Sequence, residues 1–207
     1  MKVLLINGSP RAKGCTFTAL SEIAAILNAE NIDTEILQIG NKTVQDCIGC
    51  GGCSDQGKCV FSSDCVNGWI EKAKSADGFV FGTPVYYAHP SGRILSALDR
   101  MFYAGGRYFE HKPAAAIASA RRAGTTATLD AVSKYFGIAQ MPVVSSSYWN
   151  MVHGNTPDET KQDSEGMQTM RNLARNMAWL LKCIEAGKKS GIQAPQAEIS
   201  AWTNFIR

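Results

Sequence analysis

Four cysteines lie close together in the first third of the chain, at a spacing that suits a metal or redox centre. Cys47, Cys50, Cys53 and Cys59 form the pattern C-x2-C-x2-C-x5-C, and Cys65 follows them. Three cysteines at intervals of three in a glycine-rich loop can wrap a compact [4Fe–4S] cluster, which the first four would hold, as in bacterial ferredoxins. Structural zinc more often uses two separated pairs of ligands. A buried or redox-active thiol loop without metal is the remaining alternative.

A second candidate site follows the first apolar segment. Lys2–Asn7 is typical of a buried strand, and after a Gly-Ser-Pro-Arg turn a helical pattern begins. The N-terminus of such a helix binds anions, because its first N–H groups lack partners and the helix dipole is positive there. Ser9, Thr16 and Thr18 supply hydroxyl groups, and Arg11 supplies a forked cation. We predict a phosphate site, with an ordinary strand-to-helix turn capped by threonines as the alternative.

Two further loops follow apolar, strand-like segments. Gly82–Tyr87 comes directly after one of them, and its aromatic rings and backbone suit a flat heterocycle, unless the tyrosines fill a subunit interface. Ser119–Thr125 follows another, with small residues that allow close approach and two arginines that either balance negative charge or lie in solvent. The glycine spacing of the first loop matches neither the P-loop nor the dinucleotide fingerprint. Because loops after parallel strands meet at one edge of the sheet, the three loops together predict a site for flavin mononucleotide (FMN).

Apolar segments and helical patterns alternate along the rest of the chain. Strands are predicted at Lys2–Asn7, Thr34–Ile39, Gly78–Phe81, Ala114–Ala118 and Pro142–Ser145. Helices are predicted at Thr18–Asn28, Cys65–Lys74, Ser91–Tyr103, Thr125–Phe136 and Ser164–Glu185, the last with a buried stripe of Met and Leu. This alternation predicts an α/β fold with a doubly wound, five-stranded parallel sheet of the flavodoxin-like order 2-1-3-4-5. The domain is expected to span residues 1–186, with residues 187–207 as an extension that packs on a partner subunit.

Composition narrows the classes of function. The 207 residues carry 21 basic and 18 acidic side chains, a formal net charge of +3, without a dense basic block. Binding to nucleic acid is therefore not expected. No apolar run approaches the ~20 residues that span a bilayer, and the first apolar run is too short for a signal peptide. We expect a cytoplasmic protein without membrane association, in which thiols stay reduced.

The sequence resembles the flavodoxin-like, NAD(P)H-dependent FMN reductases, a family that includes iron–sulfur flavoproteins. The likeness runs from about Met1 to Ile184, and its motifs are GSPRAKGCT at Gly8–Thr16, the Cys47–Cys59 run, Ala76–Gly78, Thr83–Tyr86, Asp99-Arg100 and Tyr148–Gly154. The resemblance implies FMN held by Ser9, Arg11, Thr16, Phe17 and Thr18 at the phosphate and ribityl chain, by Pro84, Val85, Tyr86 and Tyr87 at the ring, and by Ala120 and Arg121 on the third loop. It also implies a homodimer or homotetramer with flavins near the interface. This chain has Cys15 at a position where relatives more often carry a small polar residue. The resemblance therefore does not carry over a phosphate contact from that position.

These features predict an FMN-dependent oxidoreductase that passes electrons from NAD(P)H through bound FMN to a small-molecule or protein acceptor. The flavin would carry the chemistry, so no side chain is expected to act as acid or base. One alternative is an iron–sulfur flavoprotein that receives electrons from a ferredoxin-like partner. Another is a flavin-binding sensor or interaction module without turnover. Hydrolase chemistry is not favoured, because no Ser-His-Asp arrangement and no cysteine followed six positions later by arginine stand out.

Overall fold

The computed structural model describes residues 1–54, 56–201 and 203–205. Its strands are β1 (Lys2–Asn7), β2 (Asp33–Gln38), β3 (Gly78–Tyr86), β4 (His89–Pro90), β5 (Ala114–Ala120) and β6 (Met151–His153). Its helices are α1 (Cys15–Ala29), α2 (Val66–Lys74), α3 (Gly92–Gly105), α4 (Thr125–Ile138), α5 (Pro157–Gln162) and α6 (Ser164–Lys189), with a 3-10 turn at Gly106–Tyr108. Strands and helices alternate through most of the chain, as the apolar segments predict.

Five of these strands form a parallel sheet in the order β2-β1-β3-β5-β6. The two-residue β4 pairs antiparallel with the end of β3. When the parallel strands alone are counted, the order is 2-1-3-4-5, which confirms the flavodoxin-like topology. In such a sheet the order reverses between β1 and β3, and the crevice for a ligand opens at the carboxyl ends of those strands.

Helices cover both faces of the sheet. Successive side chains of a strand point to opposite faces, so Val3 and Leu5 pack against α1 and α6. Leu4 and Ile6 pack on the other face, with residues of α2, α3 and α4. The predicted stripe on the last helix is confirmed as core: Leu180 is partly buried, and the buried members are Met167, Met170, Leu173, Met177 and Leu181.

The fifth parallel strand does not lie where the sequence predicts it. Pro142–Ser145 makes only an isolated bridge to β5, between Val143 and Ala114, so its assignment as a strand was wrong. Beyond this bridge the segment contacts α6, where the Asn176 side chain donates a hydrogen bond to the Ser145 carbonyl at 2.8 Å. The chain returns to pair with β5 only at Met151–His153.

The third strand is longer than its apolar segment, because β3 continues through Tyr86. Gly82 therefore lies within a strand and does not begin a loop. A Cβ at Gly82 would lie 2.9 Å from Thr16 Cγ2 and 3.1 Å from Leu20 Cδ1, so this glycine allows α1 to pack closely on the sheet. Gly82-Thr83-Pro84 has the composition of a turn but lies within β3, and its glycine is required by the close packing of α1.

The final helix also exceeds its predicted end. It continues through Lys189, so the expected domain boundary between residues 186 and 187 falls inside it. The part of residues 190–205 that the structure describes is exposed and contains neither helix nor strand. Its packing on a partner subunit stays a prediction. None of the helices in the described ranges is long and apolar enough to cross a membrane.

Candidate functional site

A cleft of about 220 Å³ opens where four parallel strands end. Eight of the eleven predicted cofactor residues line it: Ser9, Arg11, Thr16, Pro84, Val85, Tyr86, Ala120 and Arg121. These residues come from the ends of β1, β3 and β5 and from the start of α1. The structure therefore brings the three predicted loops together at the carboxyl edge of the sheet, where doubly wound folds bind their ligands.

The cleft has further lining residues. These are Gly14, Cys15, Ser119, Gly154 and Asn155. Gly14 and Ser119 belong to loops that the sequence singles out, but Asn155 follows β6, a strand that sequence reasoning placed elsewhere. Sequence analysis therefore missed Asn155. The Cys15 thiol lies 3.6 Å from the carbonyl of Gly154 and joins the first loop to this fourth one.

The N-terminus of α1 faces the cleft with its backbone N–H groups open. Gly14 is the N-cap and provides no side-chain cap, and the first turn contains no acidic residue. The Thr18 N–H already bonds the Gly14 carbonyl, at 3.0 Å, so the N–H groups of Cys15, Thr16 and Phe17 are those without an intrahelical partner. Of these residues, Cys15 and Thr16 line the cleft together with Arg11, a combination that suits an anion.

The loop before α1 is held in place by its own hydrogen bonds. The Asn7 side chain accepts from the Ser9 N–H at 3.1 Å, and the Ser9 hydroxyl accepts from the Arg11 N–H at 3.2 Å. Gln38 of β2 donates to the Ser9 carbonyl at 2.6 Å. The Gly8 N–H donates to the Gly82 carbonyl at 2.7 Å, which fixes the loop to β3. Hydrogen bonds within the protein therefore fix the shape of this loop.

Two predicted hydroxyl donors have other partners. The Thr16 hydroxyl is buried and lies 2.7 Å from the Ser119 hydroxyl, so it joins the first loop to the third. The Thr18 hydroxyl donates to the Gly14 carbonyl at 3.2 Å. The structure does not bring Phe17, Thr18 or Tyr87 into the lining of the cleft. Their position in the sequence predicted that these hydroxyls would contact a phosphate, but the structure directs them to partners within the protein.

A tight hairpin between β3 and β4 brings Tyr86 into the wall of the cleft. Tyr86 pairs with His89 across a turn in which Tyr87 and Ala88 have φ values of 48° and 64°. Left-handed backbone is unusual for residues other than glycine, and consecutive positive φ values are typical of type I′ hairpins. The turn leaves Tyr87 fully exposed. A Cβ at Gly124, the N-cap of α4, would lie 2.4 Å from the Ala88 Cα, so this glycine lets α4 support the hairpin.

A larger cavity of about 580 Å³ lies beside α3 and α4. Its lining includes the carboxylates Asp99 and Glu110, together with Phe102 and Ile138. Arg107 and Lys134 also line this cavity, so its charge is mixed. It does not lie at the carboxyl ends of the strands, where doubly wound folds bind their ligands. The smaller cleft is therefore the better candidate for a phosphorylated cofactor.

The connection between β2 and α2 contains the Cys47–Cys59 run and is called the cysteine loop below. It lies on the face of the sheet that α2 and α3 cover. Cys53, Cys59 and Cys65 pack against that half of the core, whereas Cys50 is exposed. Burial, with the nearby Asp64 carboxylate, raises the pKa of the Cys65 thiol to about 11. Cys65 precedes α2 as its N-cap and packs, partly buried, against the core. Within the described ranges, no three Cys, His, Asp or Glu side chains are gathered as a metal site.

A buried ion pair connects α3 to the segment that follows the Cys47–Cys59 run. Arg100 of α3 and Asp64 are both buried and form a salt bridge. Burial alone would raise the pKa of the Asp64 carboxyl, but the Arg100 guanidinium and the N–H groups of Val66 and Gln45 hold it below its usual range. Asp64 is therefore ionised at neutral pH, and its negative charge neutralises that of the buried guanidinium.

Comparisons of the sequence with known proteins identify its family and its relatives. A family model described as NADPH-dependent FMN reductase matches residues 1–156. An iron–sulfur flavoprotein of Methanocaldococcus jannaschii is 33% identical over 193 residues, which cover 89% of this chain and 100% of that protein. An iron–sulfur flavoprotein of Methanosarcina thermophila is 26% identical over 192 residues, which cover 91% of this chain and 99% of the relative.

A likeness among solved structures supports the fold. A flavodoxin from the domain Archaea superposes with a TM-score of 0.61 at 13% sequence identity. The match covers 88% of this chain and 99% of the flavodoxin. At this level of identity the likeness concerns the fold alone, and it agrees with the strand order of the sheet.

Proposed function

Because this chain belongs to the NADPH-dependent FMN reductase family, we propose that it binds FMN in the cleft and passes electrons from NAD(P)H through the flavin to an acceptor. The family's chemistry is flavin-dependent oxidoreduction, and its members include iron–sulfur flavoproteins. The acceptor is a small molecule or a protein. Assembly into a homodimer or homotetramer is part of the same proposal.

The observation that carries the proposal is the open N-terminus of α1 beside Arg11. The uncapped N–H groups of Cys15 and Thr16, which line the cleft, would receive the phosphate of FMN, and the Arg11 guanidinium would add charged hydrogen bonds. No acidic side chain in that turn opposes an anion. The donor chemistry of the cleft therefore fits the phosphate end of the cofactor.

The remaining lining residues suit the flat ring. Pro84, Val85 and Tyr86 provide an apolar and aromatic wall, with Ala120 and Arg121 on the facing loop. When bound, FMN supplies the redox chemistry by accepting electrons from a donor and delivering them to an acceptor. The described residues that line the cleft include neither a carboxylate nor a histidine. In this proposal the chain's own contribution is to bind and orient the flavin, which supplies the redox chemistry.

Replacing Arg11 by methionine is expected to weaken FMN binding by about 10–100-fold, because a charged hydrogen bond contributes about 1.5–3 kcal/mol. Lys13→Met is the matched control. Lys13 lies in the same loop and carries the same charge, but it does not line the cleft. Each variant is stripped of flavin and then titrated with FMN, and the change in flavin fluorescence gives its FMN affinity. Equal losses for the two variants would show that the loop attracts FMN only through its overall charge.

The electron donor is tested by mixing FMN-loaded protein anaerobically with NADH or NADPH. We expect at least one of them to bleach the absorption of the oxidised flavin. Dithionite serves as the control, because it reduces flavin without a nicotinamide site. If dithionite bleaches the flavin and neither nucleotide does, the NAD(P)H proposal is wrong. A ferredoxin-linked carrier or a flavin-binding sensor would then explain the protein better.

A second candidate function is electron transfer through an iron–sulfur cluster. The first two relatives compared above are named iron–sulfur flavoproteins. Four thiols on one loop, at Cys47, Cys50, Cys53 and Cys59, are the donor set that a [4Fe–4S] cluster requires. The four thiols are suitable ligands for such a cluster, but no three of them lie close enough together in this structure to hold a metal ion. Metal sites often form only as the metal binds, so the loop would close around a cluster, which would exchange single electrons.

A further inference from the structure

Arg100 is a fully buried cation that contacts the cysteine loop at several points. Its side chain is 1% exposed, and that of its partner Asp64 is 4% exposed. The guanidinium donates to the Gln45 carbonyl at 3.0 Å and to the Phe61 carbonyl at 2.8 Å. Its Nε–H donates to the Cys59 sulfur at 3.2 Å. One side chain of α3 therefore fastens positions on both sides of the Cys47–Cys59 run.

These contacts fix the position of the loop more than they stabilise the protein. A buried ion pair loses solvation energy comparable to its mutual attraction, so it adds little net stability. The chain between β2 and α2 forms no helix or strand in the residues described there. Packing on the core and side-chain hydrogen bonds together hold this segment, and Arg100 donates four of those hydrogen bonds.

Cys59 is held at both its backbone and its sulfur. The Asn67 side chain accepts from the Cys59 N–H at 2.8 Å and donates to the Cys59 carbonyl at 2.9 Å. Arg100 binds the sulfur itself. By contrast, Cys50, which lies nearer the start of the Cys47–Cys59 run, is exposed. Cys59 is thus a fixed point toward which the more exposed part of the loop can close.

We propose that Arg100 is a positioning residue for the cysteine loop: it holds Cys59 as a cluster ligand and donates a charged N–H···S hydrogen bond that makes the bound cluster easier to reduce. This inference rests on the proposed iron–sulfur function. It concerns a residue of α3 that lies outside the cysteine motif.

The direction of the effect follows from charge. Reduction adds one electron to a cluster and its thiolates, and no bond breaks. A hydrogen bond to a ligating sulfur stabilises the more negative, reduced state, and such bonds are among the factors that set cluster potentials. Because Asp64 neutralises the guanidinium overall, the local Nε–H contact with Cys59 is the main contribution of Arg100.

Arg100→Lys tests the proposal, because lysine keeps the charge opposite Asp64 but lacks the Nε–H group that donates to the Cys59 sulfur. The full-length protein is reconstituted anaerobically with iron and sulfide, and iron, sulfide and the midpoint potential are measured in a dithionite titration followed by EPR. We expect the potential of Arg100→Lys to shift to more negative values. Arg93→Lys is the matched control, since Arg93 lies on the same helix and binds the Lys42 carbonyl but no sulfur.

Asp64→Asn gives a second, opposite result and serves if Arg100→Lys fails to fold. It leaves the guanidinium charge unneutralised beside Cys59, so the potential should shift to more positive values. Shifts of opposite sign would support the positioning role, because a merely structural anchor would not move the potential in both directions. A wild-type chain that loads the cluster while neither variant changes the potential would overturn this inference alone. A wild-type chain that takes up no iron or sulfide would overturn the iron–sulfur function with it.

Discussion

Gly8→Ala is expected to reduce FMN affinity by at least about 100-fold, because it displaces the whole loop and so removes several phosphate hydrogen bonds of about 1.5–3 kcal/mol each. A Cβ at Gly8 would lie 2.8 Å from the Gly82 carbonyl oxygen and 2.9 Å from the Ile94 Cβ. Neither atom is at the end of a flexible side chain. The added methyl group must therefore push the first loop away from β3 and break the hydrogen bond between Gly8 and Gly82.

The same substitution should lower the free energy of unfolding by about 1–3 kcal/mol, the usual effect of overpacking a core. Gly68→Ala is the matched control, because a Cβ on this exposed helical glycine of α2 meets nothing within 4 Å. It should bind FMN as the wild type does and gain about 0.5–1 kcal/mol of stability. Urea unfolding and FMN titration measure both effects. Unchanged FMN affinity in folded Gly8→Ala would show that the first loop does not hold the cofactor.

Cys50→Ser is expected to abolish the iron–sulfur cluster, lowering iron from about four per chain to a small remainder, because a cubane cluster requires all four thiolates. Cys50 is exposed, so the substitution should leave the fold intact. Iron and sulfide analysis after anaerobic reconstitution measures the loss, and circular dichroism verifies folding. FMN binding should be unchanged, since the cysteine loop does not line the flavin cleft.

Cys183→Ser is the control for this prediction. Cys183 is also an exposed free cysteine, but it lies on α6, outside the cysteine loop. It should retain the iron and sulfide of the wild type. If Cys50→Ser retained them as well, Cys50 would not be a ligand. If the wild type itself bound no iron, the second candidate function would be wrong and the proposal for the flavin would stand alone.

The topology of the sheet could be predicted from sequence because strand and helix patterns alternate strongly. The core stripe of α6 was predictable for the same reason, since helical spacing of Met and Leu seldom has another cause. Pro142–Ser145 misled because a short apolar segment looks alike in a strand and in a connection. Val143 is 56% exposed, and only the fold shows that its segment makes a single isolated bridge to β5.

The cleft was predictable in outline but not in detail. Strand ends converge in any doubly wound sheet, so the loops containing Ser9, Tyr86 and Arg121 had to meet. The direction of each side chain depends on local hydrogen bonds that spacing does not reveal. Thr18 turns back to Gly14, and Tyr87 points away on a left-handed turn. Arg100 belonged only to a family motif, and its contact with Cys59 depends on a fold that brings residues 41 positions apart together.

The central claim is that the loops at the carboxyl edge of the sheet bind FMN. Its most direct test is titration of the purified wild-type chain with FMN, followed by flavin fluorescence and by the visible spectrum after removal of unbound cofactor. We predict one FMN per chain, bound with micromolar or tighter affinity, and a spectrum with the bands of oxidised flavin. A folded protein that stays colourless and takes up no FMN at micromolar concentrations would contradict the claim.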